Sequence, residues 1–265
     1  MRKLALILAA FALAIVPSAF LSQAQAVSRY DVTLHVSKTD VALGTPVVFS
    51  GKVSPTAKGS LVSIQYLFSD QESTRWVTIA HATVQADGTY ARSVPPRASN
   101  WSYRVFKPAG AGRSSGASPQ VVIRAYSWTH VVGSLLERYG WQYTNQYGPQ
   151  TVAGTPVAEY WSTTASAHGE SRWSTHQSCK RLRVDVGLDD RSDAGADAQF
   201  RIHFDGDLVY SLRVKKGTKV SVDLPIPRAD TSSIKFSAEA RNKNVPVYVN
   251  ASNPRVYCAL PVLED

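Results

Sequence analysis

Apolar and polar residues alternate along short runs in the first half of the chain. Val32, Leu34 and Val36 are separated by polar residues, and side chains two positions apart lie on the same face of a β-strand. About seven such runs lie between residues 32 and 124, separated by turn sequences such as LGTP, SPTAKG and ADGT. Strands at this spacing, within roughly 100 residues, predict a β-sandwich.

The second half begins near Ala125 with YSWTHVV, which we interpret as its first strand. After an irregular stretch, alternating runs return from residue 181 and continue to the closing segment NPRVYC. We interpret this half as a second β-sandwich, of jelly-roll or galactose-binding-like type. The predicted fold class is therefore all-β, with sandwich domains at residues 27–124 and 125–265.

The first 26 residues have the pattern of a signal peptide. Arg2 and Lys3 precede an apolar run that ends near Val16, and the sequence Ala-Gln-Ala at positions 24–26 fits a cleavage site. The apolar run is short for a membrane span. We therefore expect a secreted, extracellular protein that loses residues 1–26 and has no membrane span in its mature chain.

The formal charge of +9 is distributed unevenly. Residues 27–124 carry 11 Lys/Arg against 5 Asp/Glu, whereas residues 125–265 carry 16 against 15. A basic face on the first domain would attract anionic polymers, but we prefer charge that is spread for solubility. We expect no nucleic-acid partner, because no basic groove with interleaved stacking aromatics is evident.

Residues 28–124 resemble the Ig-like domains of exported actinobacterial proteins. The resemblance is carried by VFSGKVSP, by VSIQYLF followed by RWVTIAHATVQADGTY, and by SYRVFKPAGAGRSSGASPQVVI. The resemblance implies a spacer or an adhesive module. The motifs are typical of a fold and say little about activity.

Residues 126–260 resemble the NPCBM family of carbohydrate-binding modules. The motifs are CKRLRVDVGLDD, then AQFRIHFDGDLVYSLRVKKG, then NPRVYC. Asp189 and Asp190 match the family's paired aspartates, and Asp205 with Gly206 matches its Asp-Gly turn. The resemblance implies carbohydrate binding. Where family members often carry a tryptophan, this chain has Asn250 and Ala251, so a sugar surface built on that ring is lost or moved.

Cys179 and Cys258 are the two cysteines of the chain. An even pair in a secreted protein favours a disulfide, and the alternative is two buried free thiols. The resembling family has cysteines at matching positions, which also implies the Cys179–Cys258 disulfide.

Four aspartates crowd the segment after the strand that begins at Cys179. Asp189, Asp190 and Asp193, with Asp197 nearby, offer the oxygen ligands that calcium prefers. The chain lacks the D-x-[DN]-x-[DN]-G pattern, and aspartates are also common in turns, where they bond to the backbone. We prefer the turn interpretation. A structural calcium ion at Asp189, Asp190 and Asp193 is the alternative, and we expect no other cofactor.

Aromatic residues concentrate in the irregular segment between residues 139 and 173. Aromatic rings offer flat apolar faces that suit stacking on sugars, and loops on a rigid sandwich are common binding sites. The alternative is that these rings fill the core. The predicted ligand-binding residues are Trp141, Tyr160, Trp161, His168 and Trp173.

Two common catalytic motifs are absent from the sequence. The chain lacks H-E-x-x-H and a phosphate-binding glycine loop, and the two sandwiches leave no segment for a catalytic domain. Our hypothesis is a non-catalytic secreted protein in which an Ig-like spacer carries a module that binds extracellular or cell-wall polysaccharide. The alternatives are a structural or adhesion protein that binds a protein partner and, third, a glycan-active enzyme.

Overall fold

The structure is a computed structural model. It describes residues 28–69, 72–97, 99–131, 138–139, 150–158, 160–164, 168–176, 178–228 and 230–260. Within these ranges every regular element is a β-strand, which confirms the all-β prediction. The same ranges hold no helix that is long and apolar enough to cross a membrane.

The first half of the chain forms the strands β1 (Asp31–Val32), β2 (His35–Val36), β3 (Asp40–Ala42), β4 (Val47–Ser54), β5 (Leu61–Ser69), β6 (Thr74–Thr83), β7 (Thr89–Val94), β8 (Ser99–Lys107), β9 (Gly116–Ala117) and β10 (Val121–His130). The second half forms β11 (Arg138–Tyr139), β12 (Gln150–Val152), β13 (Thr155–Val157), β14 (Tyr160–Thr164), β15 (His168–Ser174), β16 (Cys179–Leu188), β17 (Asp197–Phe204), β18 (Asp207–Lys215), β19 (Lys219–Pro225), β20 (Ser233–Ala240) and β21 (Tyr248–Cys258).

The first unit has two layers around its own core. In one layer β4 pairs with β1, β2 and β7, and in the other β5 pairs with β6 and β8. Apolar side chains at alternate positions of these strands fill the space between the layers, and Phe49 meets Tyr103 there with ring centroids 5.5 Å apart. The alternation in the sequence therefore corresponds to inward and outward faces of the strands.

The second unit is also a sandwich. One sheet has the order β11-β15-β20-β17-β18, and β19-β16-β21, with β14 on β21, forms the other layer. Along β17 the side chains of Ala198, Phe200, Ile202 and Phe204 are buried at every second position. They pack in one apolar cluster with the inward residues of β16, β20 and β21.

Strand β10 belongs to both units. Residues 121–125 pair with β8, and residues 127–130 pair with β21, so one sheet runs through the junction. The two cores remain separate, because the first ends at Ala125 and the second begins at Val131. The boundary predicted at residue 125 thus falls inside a strand, and the division into two domains stays a prediction.

The disulfide predicted between Cys179 and Cys258 is confirmed. It joins the first residue of β16 to the last residue of β21, which are register partners in neighbouring strands. Cys258 is also the partner of Ser127 in β10, so the disulfide lies beside the strand that links the two units.

Candidate functional site

Two of the predicted sugar-stacking rings lie in the core of the second unit. Trp161 is 1% exposed and Trp173 is 3% exposed. Both rings make edge contacts with Phe236, and the Trp161 indole N–H donates a hydrogen bond to Ser171 Oγ at 2.8 Å. Neither ring offers a face to a ligand, so we correct their assignment from ligand contact to core packing.

Of the other three predicted ligand contacts, the structure describes the side chain of Tyr160 alone. Tyr160 begins β14 and is half-buried. His168 begins β15, but its side chain lies outside the described part of the structure. Trp141 also lies outside the described residues. A ligand role for these three residues stays a prediction.

The aspartates after β16 brace loops. The buried Asp189 carboxylate accepts hydrogen bonds from the backbone N–H and the guanidinium of Arg191, at 2.9 and 2.7 Å. The Asp190 carboxylate accepts backbone N–H groups of Ala153 and Gly154 at 3.1 and 2.9 Å, while Asp193 is exposed. No group of three or more potential metal ligands occurs within the described ranges. This geometry supports the turn interpretation of the segment.

The position where the NPCBM resemblance leads us to expect a tryptophan is a core position here. Asn250 and Ala251 are both completely buried. The Asn250 side-chain amide donates to Gln150 Oε1 and accepts a hydrogen bond from Ser252 Oγ. Ala251 is the register partner of Trp161, and its small side chain leaves room for that indole ring.

An exposed sheet face of the second unit gathers aromatic and charged side chains. In β16, Leu182 and Val184 are buried, whereas Arg181 and Arg183 point to solvent. The strand registers place the neighbouring outward residues in two rows across β19, β16, β21 and β10. We call this surface the outer face; in the second unit its rows contain Asp223, Pro225, Arg181, Arg183, Arg255, Tyr257, Trp128 and His130.

Trp128 is the exposed aromatic residue of these rows. It keeps 36% of its surface accessible. The ring of its register partner Tyr257 lies 5.4 Å away between centroids, and the guanidinium carbon of Arg183 lies 4.5 Å from the Trp128 ring centroid. These neighbours hold the indole in place by aromatic and cation–π contacts, so the ring is an ordered apolar platform beside polar groups.

The polar part of the outer face is rich in hydrogen-bond donors. The Asp223 carboxylate accepts hydrogen bonds from Arg181 Nε at 2.6 Å and from Arg183 Nε at 2.9 Å, so it forms ion pairs with two guanidinium groups. Arg255 makes no ion pair with any residue that the structure describes. A depression of about 400 Å³ adjoins these groups, and its polar lining consists of Arg183, Asp185, Ser221, Asp223, Asn253 and Arg255.

Asp223 is expected to remain ionised in acid. The hydrogen bonds from Arg181 lower the pKa of Asp223 most, burial opposes them with a smaller effect, and the hydrogen bond from Arg183 lowers the pKa further. Its contribution to stability is therefore present above the usual aspartate pKa of about 3.9 and is lost only as the pH falls through the lower folded-state value. A carboxyl NMR titration should give a midpoint below 3.9, and Arg181→Gln should raise it. A midpoint that Arg181→Gln leaves unchanged would contradict this pairing.

Asp223 is poorly suited to act as a general acid. A general acid must keep its proton near the working pH, and glycoside hydrolysis requires such a group. Asp223 is held ionised, which is the opposite condition. An ordered indole beside guanidinium and amide donors instead allows ring stacking and hydrogen bonding to hydroxyl groups.

The sequence interpretation missed the outer face. Trp128 and Tyr257 lie in the motifs YSWTHVV and NPRVYC, but the sequence interpretation places neither residue on a binding surface. The available signal was the alternation of Tyr126, Trp128 and His130, which places large polar and aromatic side chains on one side of a strand.

Comparison with known proteins identifies the family of part of the second unit. Residues 163–251 match the family model of the NPCBM/NEW2 domain. This range includes β15 to β20 and the first part of β21. The chain therefore contains an NPCBM/NEW2 domain. No curated protein matches the chain.

Several solved structures are similar to parts of this chain at low identity. The CBM51-2 and INT domains from Clostridium perfringens ZmpB are 11% identical, with a TM-score of 0.35, over 62% of this chain and 38% of that one. CBM51 from C. perfringens GH95 in complex with methyl-galactose is 13% identical, with a TM-score of 0.36, over 49% of this chain and 99% of that one. The CBM22-1 xylan-binding domain from Paenibacillus barcinonensis Xyn10C is 14% identical, with a TM-score of 0.26, over 51% and 87%. Likenesses at these scores carry no functional argument.

Proposed function

We propose that this protein is a secreted, non-catalytic protein that binds carbohydrate through the outer face of its second unit. The observation that carries the proposal is the ordered, exposed indole of Trp128, held by Tyr257 and Arg183 beside the depression lined by Arg255. The NPCBM/NEW2 match supports the choice of carbohydrate as the ligand. The signal-peptide pattern of residues 1–26 supports secretion.

The proposed complex uses both kinds of group on the outer face. The apolar face of a sugar ring stacks on Trp128, because C–H groups gain contact with the π-face of an aromatic ring. Arg255 and Asn253, which line the depression, donate hydrogen bonds to sugar hydroxyls. The ligand in this proposal is an extracellular or cell-envelope polysaccharide, and the first unit, an Ig-like module, carries the binding unit.

Replacing Trp128 with alanine should weaken binding without unfolding the protein. Loss of one stacking ring is expected to cost about 1–3 kcal/mol, or roughly 5- to 150-fold in affinity. A glycan array with the full chain first identifies the best polysaccharide, and titration calorimetry then compares Trp128→Ala with the parent protein.

Leu208→Ala is the matched control for Trp128→Ala. Leu208 is 55% exposed and lies on β18, in the opposite sheet. Leu208→Ala therefore removes exposed apolar surface and leaves the outer face unchanged. Equal affinities for the parent and Trp128→Ala would place the site elsewhere. An array without any glycan hit would favour the adhesion alternative, in which the ligand is a protein.

A further inference from the structure

The outer face continues from the second unit into the first. Along β10, Arg124 and Val122 point to the same side as Trp128, since they are separated by even numbers of residues. Val122 is the register partner of Ser102 in β8, and two residues further along β8 lies Arg104. Arg104 therefore lies on the same side of the sheet as the proposed carbohydrate-binding surface.

Arg104 is held in a fixed position on this surface. Its guanidinium carbon lies 4.0 Å from the ring centroid of Trp76 and 5.4 Å from that of Phe106. Its Nε–H donates to Gln65 Oε1 at 2.9 Å, and Gln65 Nε2 in turn donates to Thr78 Oγ1 at 3.2 Å. The aromatic contacts and the Gln65 bridge fix the plane of the guanidinium group.

The charge of Arg104 has no counterion among the described residues. Arg181 and Arg213, by contrast, each donate to an aspartate, and hydrogen bonds to that carboxylate raise their pKa. Burial lowers the pKa of Arg104, and no carboxylate offsets that effect. Partly desolvated charges are costly unless they are paired. Arg104 is thus an ordered cation whose outer N–H groups suit an external anion.

The chemistry of the guanidinium group indicates which anion. Its outer N–H groups form a rigid planar fork that matches the two oxygens of a carboxylate. The aromatic rings of Trp76 and Phe106 lie beside the fork. They offer apolar surface for the ring of a sugar acid whose carboxylate binds to Arg104. The excess of Lys and Arg over Asp and Glu in residues 27–124 favours the approach of an acidic polymer.

We propose that Arg104, flanked by Trp76 and Phe106, is a carboxylate-binding subsite for an acidic sugar of a polysaccharide. This inference goes beyond the proposed function, because it places a second binding site on the first unit. It rests on the proposed function only for the choice of a polysaccharide as the carrier of the carboxylate. The first unit is then a binding module and not merely a spacer.

The test uses the full chain and a pair of matched polymers, polygalacturonate and its fully methyl-esterified form. The ester blocks the carboxylates and keeps the backbone. Arg104→Gln should weaken polygalacturonate binding at least tenfold at low salt and leave binding of the ester unchanged. Arg104→Lys keeps the charge but loses the fork, and it should recover only part of the lost affinity.

Arg92→Gln is the charge-matched control. Arg92 is exposed on β7, in the other layer of the first unit. Its replacement also removes one positive charge, but at a position in a different layer from Trp76 and Phe106. Equal losses for Arg92→Gln and Arg104→Gln would show diffuse attraction and overturn the proposal. So would full affinity in a folded Arg104→Gln or Arg104→Lys variant, with folding judged from the melting temperature.

Competition identifies the anion, and a second variant separates this inference from the proposed function. Free galacturonate should displace polygalacturonate more effectively than inorganic phosphate, and the reverse order would overturn the carboxylate assignment. Trp128→Ala should weaken binding of the best neutral glycan whether or not Arg104 is also replaced. A tenfold loss of polygalacturonate binding in Arg104→Gln, with no effect of Trp128→Ala on the neutral glycan, would retain the subsite and reject the proposed function. Weaker binding of the neutral glycan in Trp128→Ala, with no loss in Arg104→Gln, would retain the proposed function and reject the subsite.

Discussion

Replacing Trp161 with alanine is expected to lower the free energy of unfolding by about 3–5 kcal/mol, the range for deleting a large buried aromatic side chain. The indole ring contacts Phe200 and Phe236 in the core of the second unit. Its removal leaves a cavity and also takes away the hydrogen bond that the buried Ser171 hydroxyl oxygen accepts from the indole N–H. Urea denaturation of the full chain measures the change.

Trp128→Ala is the control for Trp161→Ala, because both variants lose the same side chain. Trp128 is partly exposed, so its removal should destabilise the protein much less while weakening glycan binding. The two tryptophans therefore separate stability from binding. A folded Trp161→Ala variant with parental stability and impaired binding would contradict the assignment of Trp161 to the core.

Removing the disulfide is expected to destabilise the protein by about 2–5 kcal/mol. The two cysteines are separated by 79 residues in sequence, so the link constrains a long loop in the unfolded chain. Both cysteines are buried, and alanine at both positions removes the link without adding a polar group. The denaturation midpoint of the double variant should fall in comparison with that of the oxidised parent.

The effect of a reducing agent provides the control for the disulfide prediction. Reductant should destabilise the parent protein and leave the double alanine variant unchanged, because the variant has no bond to reduce. Identical denaturation midpoints for the oxidised and the reduced parent would contradict a stabilising role of the Cys179–Cys258 link.

The strands of the sandwich cores could be predicted from local alternation. Buried and less buried residues alternate from Ala198 to Phe204 in β17 and from Leu182 to Val186 in β16, and the period of two is visible in a short window of sequence. The disulfide could be predicted because the chain has two cysteines and an export signal pattern. In both cases the necessary information lies in residue types and spacing.

The positions of Trp161 and Trp173 could not be predicted in the same way. Their strands, β14 and β15, are short and lie in a stretch without regular alternation. The ring of Trp161 is buried because β14 pairs with β21, which brings it opposite Ala251. Trp173 is buried because β15 pairs with β20, where Ile234 is its partner. These pairings join distant parts of the chain, and tertiary contacts of this kind override a local pattern.

The outer face was hidden for a related reason. Its members come from β10, β16, β19 and β21, and only the register of three of these strands brings Trp128, Arg183 and Arg255 together. The same register shows that β10 carries the surface from one unit into the other. The division predicted at residue 125 from composition and charge falls inside this shared strand, and composition and charge do not reveal that the units share it.

The most direct test of the binding surface is the response of the tryptophan indole N–H signals to a bound polysaccharide. The chain has six tryptophans, and a two-dimensional ¹⁵N spectrum resolves one indole signal for each. We predict that the best array glycan shifts or broadens the Trp128 signal and leaves the Trp161 and Trp173 signals in place. Saturable shifts at Trp161 or Trp173, with the Trp128 signal unchanged, would contradict binding at the outer face.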